Sequence, residues 1–366
     1  MNRRPNMSRS GYDSFSTRNA AHFTAATPGN DFFDTRRKKP LSLRFALYFF
    51  LIFSTVLGFN WIANRFVHVR RLEVPITGLS EKFDGYTLLH ISDLKGRSFS
   101  SSQSRFASAL RKTEFDAVVI TGDMVSELGN AAPFYALIDQ LHALAPQAPV
   151  YFIGGDSDPA VTSEAHFTGG SPFAPWVLGV QQRGALLLSA PVAIAQQEQT
   201  LWLTPGSLLN LDLDTMQEQL ELRYLDALSS GDENAIELAA YNLSWLEQTR
   251  TARKAIAADD VIITLQHAPP TQEELLDKID LILCGHTLGG VMRLPLVGPL
   301  FMPSSSLPRY GLFPGAGVNY GLSRQGRTQV YVSPGLGGAG DEYPGFFFRL
   351  FNPPTVTLVT LTPSSI

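Results

Sequence analysis

Cysteine is almost missing from this chain of 366 residues: Cys284 stands alone, which excludes an intrachain disulfide and leaves the redox compartment unreadable. Charge is thin as well, at 17% of residues against 44% hydrophobic, so material for a buried core is ample. Positive charge is scarce beyond the first 71 residues. Those hold 12 Lys/Arg against 3 Asp/Glu, a net +9, whereas the remainder holds 17 against 30, a net −13. A basic end on an acidic body argues against nucleic acid as the main partner, since nucleic-acid phosphates are bound by cations. No G-x-S-x-G occurs, which removes the nucleophile elbow of serine hydrolases.

One stretch lacks charge altogether. Phe45 to Ala63, "FALYFFLIFSTVLGFNWIA", is 19 residues rich in Phe and Leu and bracketed by Arg44 and Arg65. A helix of that length roughly spans a hydrocarbon core of about 30 Å. A transmembrane helix is expected over residues 41–66. No small-x-small site follows the run, which disfavours a cleaved signal peptide, and "TRRKKPL" is a poor twin-arginine match. Arg36, Arg37, Lys38, Lys39 and Arg44 precede the run, while Arg65, Arg70 and Arg71 follow it. The positive-inside bias then predicts a single-pass protein of the cell membrane, with a cytoplasmic N-terminus and an extracytoplasmic body. Residues 1–40, rich in Asn, Ser, Thr, Gly and Arg, read as a disordered basic tail.

From residue 72 onward one grammar repeats. "YTLLHISD" ends at Asp93, "FDAVVITGD" at Asp123, "APVYFIGGDSD" at Asp156 to Asp158, "DDVIITLQH" at His267 and "IDLILCGH" at His286. Each is a short apolar, β-branched run that stops at Asp or His, the pattern of a strand buried on both faces. Helical spacing between the first three, around Ser104 to Lys112 and Pro133 to Leu144, implies an α/β layered sandwich. Ligands of such sheets bind off the carboxyl ends of the strands. Carboxylates and neutral imidazoles gathered there make a ligand set for a divalent metal. His90 lies inside the first run and reads as structural. Leu211 to Ile256 carries two stretches of helical spacing around "SSGDE", an expected helical hairpin that could add a packed layer, a lid or an arm for a protein partner. The Gly-rich "GLGGAGDEYPG" near 335 reads as a loop and is given no chemistry.

The order D-x-K, G-D, G-D-S-D, H-x-P, G-H-x-L, each after a strand, resembles the D-x-H, G-D, G-N-H-D, H-x-P, G-H-x-H of the calcineurin-like metallophosphoesterases. "GHTLGGVMRLPLVGP" and the ending "YVSPGLGG…FRLFNPPTVTLVTL" are similar to the membrane-associated bacterial phosphodiesterase branch, and the ending reads as paired closing strands. The resemblance covers residues 72–366. It implies an α-β-β-α sandwich into which the hairpin of 211–256 is inserted, and hydrolysis of phosphoric esters by metal-activated water.

The resemblance also implies roles, and here the chain departs from the pattern. The bridging carboxylate falls on Asp123. One metal would take Asp123, Asp156, His267 and His286, with Asp156 replacing the usual Asn. The other would take Asp93 and two histidines, whose places hold Lys95 and Leu288. The histidine that protonates the leaving group falls on Ser157, a poor proton donor at its ordinary pKa. The expectation is therefore at most one divalent ion (Mn, Fe or Zn), with Lys95 supplying fixed positive charge between Asp93 and Asp123. Three functions remain open: a phosphoesterase acting on a phosphorylated small molecule or envelope phosphodiester, an inactive relative that binds a phosphorylated ligand or protein partner at the membrane, and, least supported, a structural membrane-tethered module whose working part is the hairpin.

Overall fold

The computed structural model describes residues 43–126, 128–162, 171–196, 199–206, 208, 211–270, 278–294, 297–302, 311–314, 320–338 and 349–364. The tail expected over residues 1–40 lies outside them. Helix α1 (Leu43–Ala63) is about 31 Å long at 1.5 Å per residue. Among the described residues it is the one helix long and apolar enough to cross a membrane, over Phe45–Ala63. The chain divides at Ile52, within α1, and residues 53–366 form the compact unit considered below.

The strands of that unit are, in chain order, β1 (His68–Thr77), β2 (Thr87–Ile91), β3 (Ala117–Thr121), β4 (Val150–Ile153) and β5 (Ala185–Leu187). There follow β6 (Val192–Gln196), β7 (Gln199–Pro205), β8 (Val261–Leu265), β9 (Leu281–Cys284) and β10 (Met292–Leu294). The last are β11 (Gly298–Met302), β12 (Gly311–Leu312), β13 (Gly321–Gln325), β14 (Thr328–Val332) and β15 (Thr355–Ser364). Two six-stranded sheets result, ordered β1-β15-β2-β3-β4-β5 and β13-β14-β9-β8-β7-β6, with β10-β11-β12 as a small third. Strands β2 to β5 run parallel in the first sheet, and β7, β8, β9 and β14 run parallel in the second. Parallel neighbours leave their carboxyl ends on one edge, so each sheet delivers its strand-end residues together.

Alternation along each strand sorts its side chains between two cores. Leu88, Val119 and Tyr151 of the first sheet meet Leu203, Ile263 and Leu283 of the second in a shared interior. On the other face of the first sheet, Leu89, Ile120 and Phe152 pack against helices α2 (Ser104–Leu110), α3 (Ala132–Leu144) and α4 (Pro175–Gln181), through Phe106, Phe134 and Trp176. Phe152 and Ile263 are fully buried, and truncation to Ala would cost about 3–5 kcal/mol at Phe152 and about 2–5 kcal/mol at Ile263 in lost transfer energy and cavity. The outer face of the second sheet carries its own buried cluster, Ile279, Ile282, Cys284, Val330 and Val332. The expected layered α/β sandwich is what forms.

The hairpin is present as α5 (Leu213–Ser230) and α6 (Glu233–Ala255). Asp212 and Asp232 cap the two helices, each carboxylate accepting N–H bonds from the first turn, and Gly231 turns the corner at φ +72°. Leu213, Leu220 and Leu246 seal the pair. One expectation fails. The closing segments are strands but do not pair: β14 lies in the second sheet and β15 in the first, between β1 and β2. β15 has a longer and better partner in β1, a parallel register running from His68↔Thr355 to Thr77↔Ser364. What joins β14 to β15 is a hydroxyl contact across the sheet interface, Tyr331 Oη to Thr357 Oγ1 at 2.6 Å.

Candidate functional site

The carboxyl ends of β2, β3, β4, β8 and β9 meet at one place, and the turns leaving them are backbone-strained. Asp93, Lys95, Asp123, His286 and Leu288 all have positive φ, between +50° and +68°. The left-handed region costs an L-residue about 1–2 kcal/mol, and such strain collects where a side chain must be aimed. The turns touch closely. Gly122 sits at φ +89°, and a Cβ on Gly155 would lie 2.3 Å from Asp123 Oδ1, so only glycine lets the β3 and β4 loops meet. Asp158 ties the same loops by accepting N–H bonds from Val125 (2.7 Å) and Gly155 (2.9 Å). Burial lifts its carboxyl to about 6 despite those donors.

Asp123 is the hub. Its Oδ1 accepts the Ser157 N–H and its Oδ2 the Ser157 hydroxyl, both at 2.8 Å. Lys95 Nζ lies 3.4 Å and His267 Nε2 3.2 Å from Oδ2. Lys95 also donates to Ser157 Oγ at 3.3 Å, so ammonium, hydroxyl and carboxylate form a closed triangle. Burial pushes the Asp123 carboxyl up, but the His267 bond and charge, the Lys95 ammonium and the Ser157 N–H outweigh it and hold the group well below the usual carboxylate range.

His267 donates Nδ1–H to the Thr121 carbonyl at 2.7 Å, which turns Nε2 towards the site. Burial alone would lower its pKa; the Asp123 bond together with the Asp93 and Asp123 charges raises it to about 9. His286 Nδ1 lies 3.2 Å from His267 Nε2 and 3.3 Å from Asp156 Oδ2. Burial, then the neighbouring His267, push the His286 imidazole down towards its neutral form. Ligand atoms of Asp123, His267 and His286 all fall within 4.8 Å of one another. One carboxylate oxygen and two imidazole nitrogens, one of them fixed by a carbonyl, suit a divalent ion. Asp156 stands at the mouth, its side chain 66% exposed, touching the group through His286.

Asp93 lies apart from that triad. It is fully buried and accepts the His286 backbone N–H on both oxygens, at 3.1 and 3.2 Å. Burial first, then the Asp123 charge, raise its pKa, opposed by His267 and Lys95. Leu288 is buried beside Val291. His90 is interior, bonded to Thr121 Oγ1 at 2.8 Å, and burial pushes its imidazole down to about 3.

The loop near 335 is part of the site wall, contrary to the reading that gave it nothing. A Cβ on Gly335 would meet Asp93 Cβ at 2.8 Å, and Gly337 donates its N–H to the Asp93 carbonyl. The buried Arg349 guanidinium holds that wall, donating to the carbonyls of Leu288 (2.9 Å), Pro334, Gly335 (3.0 Å) and Gly337 (2.7 Å).

A family model described as calcineurin-like phosphoesterase matches residues 86–290, more than half of the chain. Phosphodiesterase YaeI of Escherichia coli (strain K12) is 27% identical over 248 residues, covering 67% of this chain and 70% of that protein. The matched span contains every strand-end residue described above, from Asp93 to Leu288, and the chain belongs to the calcineurin-like phosphoesterase family.

Proposed function

We propose that this chain is a membrane-anchored hydrolase of phosphoric esters that works with a single divalent ion and a lysine. Asp123, His267 and His286, with Asp156 at the mouth, hold the ion, which is Mn, Fe or Zn. When bound, it supplies Lewis acidity towards a phosphoryl oxygen. The carrying observation is Lys95, whose ammonium lies 3.4 Å from Asp123 Oδ2 and is 7% exposed. It stands where relatives would place the second ion's ligand, neutralises the shared carboxylate and offers N–H donors to phosphoryl oxygens. Water adds across a P–O ester bond and releases an alcohol. Ser157 contributes no proton to that alcohol, because its hydroxyl is committed to Asp123. Esters with acidic leaving groups are therefore favoured, whether phosphorylated small molecules or envelope phosphodiesters.

The inactive reading draws on the same triangle, since Lys95, Ser157 and Asp123 already satisfy one another. In that case the pocket binds a phosphorylated ligand, or a protein partner through 211–256, without turnover. Elemental analysis and turnover of bis(p-nitrophenyl) phosphate by the full-length protein in detergent separate the two. One ion per chain with turnover, both lost in His286→Ala, is the expected result. One ion without turnover leaves the inactive reading, and two tightly held ions overturn the ligand assignment.

The anchor is single-pass at the cell membrane, with the N-terminus cytoplasmic and the body outside. The support is the cluster Arg36 to Lys39 with Arg44 ahead of the apolar run. Protease added to cells with a permeabilised outer envelope should digest the body; full protection would reverse the orientation.

A further inference from the structure

Beside the site lies a cavity of about 730 Å³ with no part in the chemistry above. His267, one member of the ligand triad, lines it. Its floor is the carboxyl end of β4 and β8, at Ile153, Gly154 and Leu265, and its roof is α6, at Tyr241, Asn242 and Trp245. Ile153, Val161, Phe173, Leu187 and Trp245 are only half-buried although they face this hollow. Apolar walls left wet are unfavourable until something apolar displaces the water. The polar handle of the roof is already satisfied: Trp245 Nε1 donates to the Ser189 carbonyl at 2.7 Å, so the indole turns an apolar face to the space. Tyr241 stands edge-on to Phe173, ring centres 6.0 Å apart.

The roof is braced rather than loose. Arg250 of α6 donates to Asp214 (2.7 Å) and Gln217 (2.8 Å) of α5, and Arg253 to the Leu211 carbonyl at 2.8 Å. The hairpin is thus held over an apolar chamber that His267 borders.

We propose that the cavity takes the hydrocarbon portion of an amphiphilic phosphoester, a membrane lipid or lipid-linked phosphate, whose phosphate lies against Lys95, His267 and His286. This rests on the hydrolase reading for the phosphate end, and the membrane helix keeps the body where such substrates are. The volume is in the range of small-ligand pockets and takes a chain of several methylenes, each adding up to roughly fourfold in affinity.

The test uses the full-length protein in lipid nanodiscs and two n-alkyl series, alkyl phosphates as binding probes and alkyl p-nitrophenyl phosphates as substrates. Calorimetry should show octyl phosphate binding at least a hundredfold tighter than methyl phosphate, and kcat/KM for the esters should rise with chain length. Asn242→Trp, which fills the chamber from the roof, should flatten both trends, and Val161→Trp should do so from the opposite wall. Two variants on separate elements guard against one misfolding. Equal affinity for methyl and octyl phosphate in the wild type would overturn the proposal and return the hollow to a protein partner. Chain-length-dependent binding without turnover of any ester would uphold the chamber and sink the hydrolase reading instead.

Discussion

Loading the site should expel one proton, and the geometry says which. In the metal-free protein His267 is protonated at neutral pH, since Asp123 and Asp93 raise its pKa to about 9. At pH 7 the cationic form is then favoured, and its Nε2 must shed that proton to become a ligand. Asp123 is already ionised and His286 is pushed towards neutrality, so neither adds a second. Metal uptake at pH 7 should therefore release about one proton per ion. The dissociation constant should then fall by up to about tenfold per pH unit between pH 7 and 9, levelling off above that. The sign for folding runs the other way. A group whose pKa rises on folding stabilises fully below its unfolded value near 6.5, and that contribution is lost as pH climbs through 9. The metal-free protein should lose about 3 kcal/mol over that window, and the loaded protein should not. Calorimetric titration with Zn or Mn in buffers of differing ionisation enthalpy counts the proton, and Tm against pH with and without chelator reads the stability. No proton released at pH 7 would mean that His267 is neutral in the empty site, and would refute the ion pair with Asp123.

Lys95→His combined with Leu288→His should raise metal content towards two per chain, because it restores the two missing ligands beside Asp93 and Asp123; either change alone should not, and a folded double variant with unchanged content would place those positions wrongly. Adding Ser157→His should raise turnover of that variant by roughly 10²–10⁴, the range of a placed general acid, read as kcat on a phosphodiester with a poor leaving group. Gly335→Ala, at φ +67° and against Asp93, should cost about 1–3 kcal/mol by chemical denaturation. Acid should destabilise the fold as pH drops below 6.5, because buried His90 must take up a proton its folded pKa of about 3 resists; His90→Gln should flatten that limb of a Tm–pH curve.

The strand-end residues were readable because the reading needs only local information. An apolar β-branched run that halts at Asp or His after a parallel strand says where its last side chain lies, and β2, β3, β4, β8 and β9 each do this. The hairpin was readable for a similar reason, its capping aspartates and Gly231 punctuating two amphipathic stretches. What could not be read depends on distant partners. Whether β14 pairs with β15 is decided by competition from β1, more than 280 residues away in the chain. Arg349 looks like any surface arginine until the carbonyls of Leu288, Pro334, Gly335 and Gly337 converge on it. The left-handed backbone at Lys95 and Leu288 has no signal in residue type, since neither favours it. The chamber beneath α6 needs four separate strand ends and a helix to exist at all.

The end of α1 sets how much of this protein can be cut away. Asn60 in its last turn and Asn64 just beyond it both donate to the carbonyl of Arg349, at 2.7 and 2.8 Å, and Asn60 Oδ1 accepts the Phe351 N–H at 2.8 Å. The helix therefore ends inside the folded body, bonded to the arginine whose guanidinium holds the wall of Asp93. A soluble fragment begun at residue 72 would lose both asparagines and the first four residues of β1, baring the start of β15. Three bonds, two of them buried, at about 1 kcal/mol each, together with an opened sheet edge, are a sizeable part of a domain's net stability. The helix is no detachable leash: a fragment that keeps these bonds begins before Asn60, with part of the apolar helix still attached.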